Sequence, residues 1–111
     1  MKIDQTQQAG ITILRVDGRL DASTVPDFDA QWKKLLEEGA GRLVVDFRDL
    51  EYISSAGLRG VLMLAKTAKM RKAEIVYAGA RGMVADMFRI SGFLSILRTA
   101  DDADAAVRML G

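Results

Sequence analysis

The sequence predicts an α/β or α+β fold, with two early strands followed by alternating helices and strands and with parallel crossovers among the later strands. Short runs rich in β-branched and aromatic residues recur at 11–17, 43–47 and 73–78. Longer stretches between them place apolar residues at the helical period. Glycines at 10, 18, 39, 41, 79, 82 and 92 punctuate the junctions.

Ile11-Thr12-Ile13-Leu14-Arg15-Val16 lies between Gly10 and Asp17-Gly18 and reads as a strand over 11–17. Lys2 to Gln7 is its expected partner, closing a hairpin through Ala9-Gly10. From Ser23 to Glu38, Val25, Phe28, Trp32, Leu35 and Leu36 follow the helical period, with Lys33, Lys34 and Glu37 outside. Thr24 with Asp27 three residues later resembles a capping box, Pro26 fits a first turn, and Gly39 and Gly41 end the helix. Phe28 and Trp32 at this spacing are read as core rather than as a ligand box.

Residues 43–60 carry the most information. Leu43-Val44-Val45-Asp46-Phe47 reads as a strand buried on at least one face. A short connection through Arg48, Asp49 and Glu51 follows. Residues 56–72 then contain no proline and set Leu58, Val61, Leu62, Ala65 and Ala68 at amphipathic helical spacing. Ser54 and Ser55 stand at the start of this helix, where the first N–H groups lack intrahelical acceptors and a serine oxygen can supply one. One reading is a plain N-cap. The other is a phosphorylation switch, because a phosphate there meets the free N–H groups and the positive end of the helix dipole. The two roles are compatible. A phosphoserine carries a charge of roughly −1.5 to −2, enough to take the formal net charge of +1 to about zero or below.

Ala73 to Ala78 reads as a further strand and Gly79-Ala80-Arg81-Gly82 as the turn out of it. A third helix has Val84, Met87, Phe88 and Ile90 on its apolar side and stops at Gly92. Phe93-Leu94-Ser95-Ile96-Leu97-Arg98 is expected to lead into a last short strand, and Asp101 to Leu110 to form a closing helix with a capped, acidic first turn. In this order the loop of Ser54 and Ser55 leaves the carboxyl end of a strand, the edge that functional sites favour in open sheets.

Composition narrows the function. The 111 residues suit one compact domain, 1–111, and are too few for two cores. Sixteen basic and fifteen acidic residues nearly cancel without like-charge runs, so nucleic acid is not an expected partner. No apolar leader or run of eighteen apolar residues occurs, which points to a soluble, cytoplasmic protein without a membrane role. With no cysteine and no histidine, the chain has no disulfide, no thiolate nucleophile, no Ser-His-Asp triad and no sulfur- or histidine-ligated metal. Asp101-Asp102-Ala103-Asp104 lacks the glycine and terminal glutamate of a calcium loop. Neither metal nor cofactor is expected. Ser54-Ser55-Ala56-Gly57 lacks the spacing of a nucleophile elbow, so the protein is not expected to be an enzyme.

Gly18-Arg19-Leu20-Asp21, Val44-Val45-Asp46-Phe47 and Tyr52-Ile53-Ser54-Ser55-Ala56-Gly57-Leu58 resemble the STAS domain of bacterial anti-sigma factor antagonists. The similarity extends to Gly92-Phe93 and to the terminal helix of Ala105, Ala106 and Val107. It implies a single domain with a small mixed β-sheet and helices packed largely on one side. It also implies partner switching: an anti-sigma factor, often itself a serine kinase, is bound by the unphosphorylated protein and released on phosphorylation, and a serine phosphatase resets the switch. In the family pattern Asp-Ser-Ser/Thr-Gly-Leu the acceptor lies two residues before the glycine. Alignment on Gly57-Leu58 therefore makes Ser55 the acceptor, with Ser54 the alternative, and puts Ser54 where the family often has aspartate. Asp21, beside the serine loop in this family, is a further candidate for the partner surface, although as a turn or cap residue it needs no partner.

With Leu58, Val61, Leu62 and Ala65 turned inward, Arg59, Met63, Lys66 and Met70 line up outside at i, i+4, i+7 and i+11. Methionines flanked by cations form an adaptable docking stripe, although single exposed apolar residues are common on any surface. The expected partner-binding set is thus Asp21, Ser54, Ser55, Ala56, Gly57, Arg59, Met63, Lys66 and Met70. The competing expectation is a constitutive scaffold or small-ligand-binding subunit of a larger complex that never takes a phosphate.

Overall fold

A computed structural model describes residues 1–111. Its elements are β1 (Lys2–Gln8), β2 (Ile11–Leu20), α1 (Val25–Glu37), β3 (Arg42–Asp46), β4 (Leu50–Ile53), α2 (Ser55–Met70), β5 (Glu74–Ala78), α3 (Gly82–Ile90), a 3₁₀ turn (Phe93–Ser95), β6 (Thr99–Ala100) and α4 (Ala103–Leu110). The sheet runs β1-β2-β3-β5-β6, with β1 antiparallel to β2 and every later pairing parallel. The hairpin turns through Ala9 and Gly10, both at positive φ (54° and 77°), as a two-residue turn that matches strand twist requires.

The ten residues of β2 serve two neighbours. Thr12–Arg15 pair with β3, whereas Gly18, Arg19 and Leu20 pair with β4. Across that second pairing Gly18 faces Leu50 and Arg19 faces Tyr52, so β4 holds one extra residue, Glu51. The bulge lets Leu50 and Ile53 both turn inward although they are not an even number of residues apart. It also breaks the alternation that identifies a strand, so the stretch read as a charged connection is a strand.

Leu14, Val16, Leu20, Leu43, Val45, Phe47 and Tyr77 of the sheet meet Phe28 and Trp32 of α1, Val61 and Leu64 of α2, and Val84 and Phe88 of α3. Phe47 stacks on Tyr77 with ring centres 5.7 Å apart, and Phe88 meets both edge-on. On the other face α4 alone covers Ile11, Val44, Val76 and Ala78 with Ala106, Val107 and Leu110. Three of four helices thus share one face, as the mixed-sheet expectation has it.

Other expectations change. The expected last short strand is present as Thr99–Ala100, but residues 93–98 lead into it through a 3₁₀ turn: Gly92 at φ 80° opens the turn, Ser95 N–H donates to Gly92 O and Leu97 N–H to Phe93 O. Thr24 makes no side-chain cap to α1 and no box with Asp27. Its hydroxyl is engaged with the Arg19 carbonyl and the Asp21 N–H, both at 2.9 Å. In α2, Leu64 is fully buried whereas Leu62 and Ala65 are half-buried. Ile90 lies outside at 74 % exposure rather than on the apolar side of α3. The last helix does begin on a capped acidic turn, with Ala105 N–H donating to Asp102 Oδ1 at 2.8 Å.

Candidate functional site

The candidate site is assembled where β2 and β4 end together. Ser54 N–H donates to Leu20 O at 3.0 Å, which extends the ladder by one bond beyond the two strands. The chain then turns into α2. Ser54 has extended backbone (φ −96°, ψ 177°), its hydroxyl accepts from Gly57 N–H at 3.2 Å, and its carbonyl accepts from Leu58 N–H at 2.9 Å. Ser54 is therefore the N-cap. Ser55 is the first helical residue; it is exposed, and the cap leaves its hydroxyl free.

Gly57 makes this geometry attainable. A Cβ there would collide with the Leu20 carbonyl oxygen and stand 2.8 Å from Ile53 Cγ1, so only glycine lets the first turn of α2 lie against the ends of both strands. Gly60 has a related role one turn on: a Cβ would lie 3.3 Å from Asp29 Oδ1 and 3.6 Å from Phe28 Cδ2, and α1 packs closely there. Deeper still, Tyr77 hydroxyl donates to Val61 O at 2.6 Å and ties α2 to β5, while burial pushes the phenol well above its ordinary pKa.

Asp21 follows Leu20 and so sits beside the serine loop. Its Oδ1 accepts from Ser23 Oγ (2.6 Å) and Ser23 N–H (3.0 Å), and Arg19 Nε stands 3.6 Å from Oδ2. The Ser23 hydroxyl, ahead of the other contacts, holds the Asp21 carboxyl below its ordinary pKa. Its first role is thus to shape the β2–α1 loop. Ala56 is half-buried, and Arg59, Met63, Lys66 and Met70 are all exposed along α2, with Met63 at 47 % and Met70 at 84 %.

Arg19 and Tyr52 enter the sequence reading only inside the family motifs, with no contact between them foreseen. They face each other across the β2–β4 pairing, and the guanidinium lies 4.1 Å from the ring centre. The only sequence signal for the pair was the strand at 50–53, which the bulge conceals. Further along the same sheet edge, Asp49 accepts a hydrogen bond from Arg15, which lowers the carboxyl pKa and raises that of the guanidinium.

The site is a surface. A cleft of about 480 Å³ bordered by Asp46, Arg48, Arg81 and Asp102 lies at the ends of β3, β5 and β6 and includes none of Ser54–Gly57. No cluster of three acidic side chains is placed to hold a metal ion. No helix is long and apolar enough to cross a membrane.

A family model described as "Mlab, STAS domain" matches residues 3–98. The chain belongs to the STAS domain family. This STAS domain is 35 % identical over 106 residues to a Bordetella bronchiseptica protein named "Putative anti-sigma factor antagonist BtrV", the match covering 96 % of this chain and 91 % of the relative. Its backbone superposes on an anti-sigma factor antagonist from Mycobacterium paratuberculosis with a TM-score of 0.89 at 17 % identity, covering 97 % of this chain and 92 % of the other. It also superposes on the anti-sigma factor antagonist SpoIIAA. The unphosphorylated form gives a TM-score of 0.81 at 20 % identity, covering 99 % of this chain and 97 % of the other. The phosphorylated form, described as a Bacillus cell fate determinant, gives 0.77 at 17 % identity, covering 99 % and 100 %. The STAS fold is common to all of these structures.

Proposed function

We propose that this STAS domain is an anti-sigma factor antagonist that works by partner switching and catalyses no reaction itself. In the unphosphorylated state it binds an anti-sigma factor with serine kinase activity through Asp21, the loop Ser54–Gly57 and the outer side of α2. The kinase transfers the γ-phosphoryl group of ATP to Ser55 Oγ, leaving ADP and a phosphoserine, and the complex separates. A serine phosphatase hydrolyses the phosphoester to free phosphate and restores the binding form.

One observation carries this reading: the two serines divide the work, with Ser54 capping α2 through its hydroxyl while the Ser55 hydroxyl stays free and exposed at the first helical position. A phosphoryl group on Ser55 leaves the cap intact and meets the positive end of the helix dipole, so the modification alters the surface without unfolding it. The relative named as an anti-sigma factor antagonist supports the same assignment.

The test is phosphopeptide mapping of protein recovered from its native cells. One phosphate is expected on wild type and on Ser54→Ala and none on Ser55→Ala, and Ser55→Asp should lose affinity for the purified kinase partner. Absence of phosphate under every growth condition, with partner binding indifferent to both Ser55→Ala and Ser55→Asp, would replace the switch with a constitutive scaffold.

A further inference from the structure

The segment 55–73, comprising α2 and the turn after it, contains Arg59, Lys66, Lys69, Arg71 and Lys72 and neither aspartate nor glutamate, whereas the remaining residues of this near-neutral chain are net acidic. All five cations are exposed, and the ion pairs of the molecule lie elsewhere, among Lys2, Arg15, Arg19, Arg81, Arg89, Arg98 and their acids. Glu74, the acid that follows the turn, faces Arg98. The helix dipole explains cations at Lys69, Arg71 and Lys72. It does not explain Arg59 near the start of the helix or Lys66 in its body, nor the lack of an acid in the first turn, where α1 has Asp27 and α4 has Asp104. Met63 and Met70 alternate with the cations on the outer stripe and are large, unpartnered and exposed.

We infer that the outer face of α2 receives an acidic, amphipathic helix of the partner protein, its carboxylates opposite Arg59, Lys66 and Lys69 and its apolar side chains on Met63 and Met70. The inference rests on the partner-switching reading and adds the chemistry of the partner. A single-file stripe at i, i+4, i+7 and i+11, on a helix of 16 residues and so about 24 Å long, matches the seam of one helix. A bilayer would take up a broader apolar face. The same charge pattern explains how one phosphate acts. Ser55 and Arg59 are four apart on α2, so a phosphoserine 55 captures Arg59 as an i, i+4 ion pair and is the sole anion on the helix, set against the carboxylates of the partner.

Amide spectra of the intact ¹⁵N-labelled protein test this with three probes: a synthetic amphipathic helix of leucine and glutamate, the same helix with lysine for glutamate, and equimolar phosphatidylcholine/phosphatidylglycerol vesicles. The glutamate helix should shift Arg59, Met63, Lys66 and Met70, and the lysine helix should not. Lys66→Glu/Lys69→Glu should weaken the glutamate helix about tenfold, with Lys66→Gln/Lys69→Gln intermediate and Lys66→Arg/Lys69→Arg unchanged. Equal binding of the two helices, shifts away from α2, or preferential capture on the vesicles would overturn the inference. The arms separate the two ideas. Loss of the glutamate helix in Lys66→Glu/Lys69→Glu but not on phosphorylation of Ser55 keeps the acidic partner and removes the switch. Loss on phosphorylation with no effect of the lysine substitutions overturns the acidic partner and leaves the switch standing.

Discussion

The junction between β4 and α2 and the segment between α3 and β6 are both short links from one element on the core face to the next, yet they are held by different means. At the first, Ser54 N–H bonds to Leu20 O, Ser54 Oγ receives Gly57 N–H, Ile53 is buried, and Gly57 has no room for another atom. At the second, Ser91 Oγ donates to Phe88 O and Ser95 Oγ to Gly92 O, Leu94 and Ile96 stand 50 % and 63 % exposed, and long-range anchoring comes only at its end, where Leu97 enters the core and Arg98 O accepts from Tyr77 N–H. Gly92 there has nothing within 4 Å of where a Cβ would be. Long-range contacts make the first junction stiff, the kind of base on which a docking surface is held in one geometry. Local contacts make the second tolerant as far as Ile96.

Paired substitutions sharpen this contrast. Gly57→Ala should be the most damaging, costing about 2–3 kcal/mol because the methyl group meets backbone that cannot yield, and it should abolish partner binding as well. Gly92→Ala should cost only about 1 kcal/mol, the penalty of a left-handed backbone without a clash. Urea unfolding measures both, and equal costs would break the comparison. Within the first junction, Ser54→Ala should cost about 1 kcal/mol through loss of the cap, whereas Ser55→Ala should stay within about 0.5 kcal/mol. A reversal of that order would reassign the cap. At the second segment, Ile96→Thr should also stay within about 0.5 kcal/mol, and a larger loss would mean that this segment is packed more firmly than its exposure indicates.

The smallest effect concerns acid. Arg15 holds the Asp49 carboxyl below its ordinary value of 3.8, so the stability it contributes is complete above that pH and is lost as pH falls through the lowered value. Asp49→Asn should give up that small contribution at neutral pH, flatten the acid limb of the stability curve below about pH 4 and converge with wild type in strong acid, as thermal melts across that range would show.

Periodicity carried most of the fold. The spacing of Phe28, Trp32, Leu35 and Leu36 specified α1 and its buried face, and the β-branched run around Val44 specified β3. The runs at 50–53 and 93–98 show, in complementary ways, what composition leaves open. Leu50-Glu51-Tyr52-Ile53 has no alternation because Glu51 is a bulge residue, yet it pairs because the far end of β2 is open to a neighbour. Phe93 to Arg98 does lead into the last strand, but the left-handed Gly92 and the serine hydroxyls claim its first bonds locally, so that bonding to β5 begins only at Arg98 O and the strand is confined to Thr99 and Ala100.

The candidate site divides along the same line. The serine pair at a helix start, the outward order of Arg59, Met63, Lys66 and Met70, and an α2 without acids all follow from residues close together in the chain, where the helical repeat alone fixes neighbours. That Ser54 caps while Ser55 stays free, that Gly57 is obligatory, and that Arg19 stacks on Tyr52 were decided by the tertiary structure. Each depends on where the end of β2 lies against β4 and α2, some thirty residues away in sequence, and such contacts are set by strand register and close packing, which no local pattern encodes.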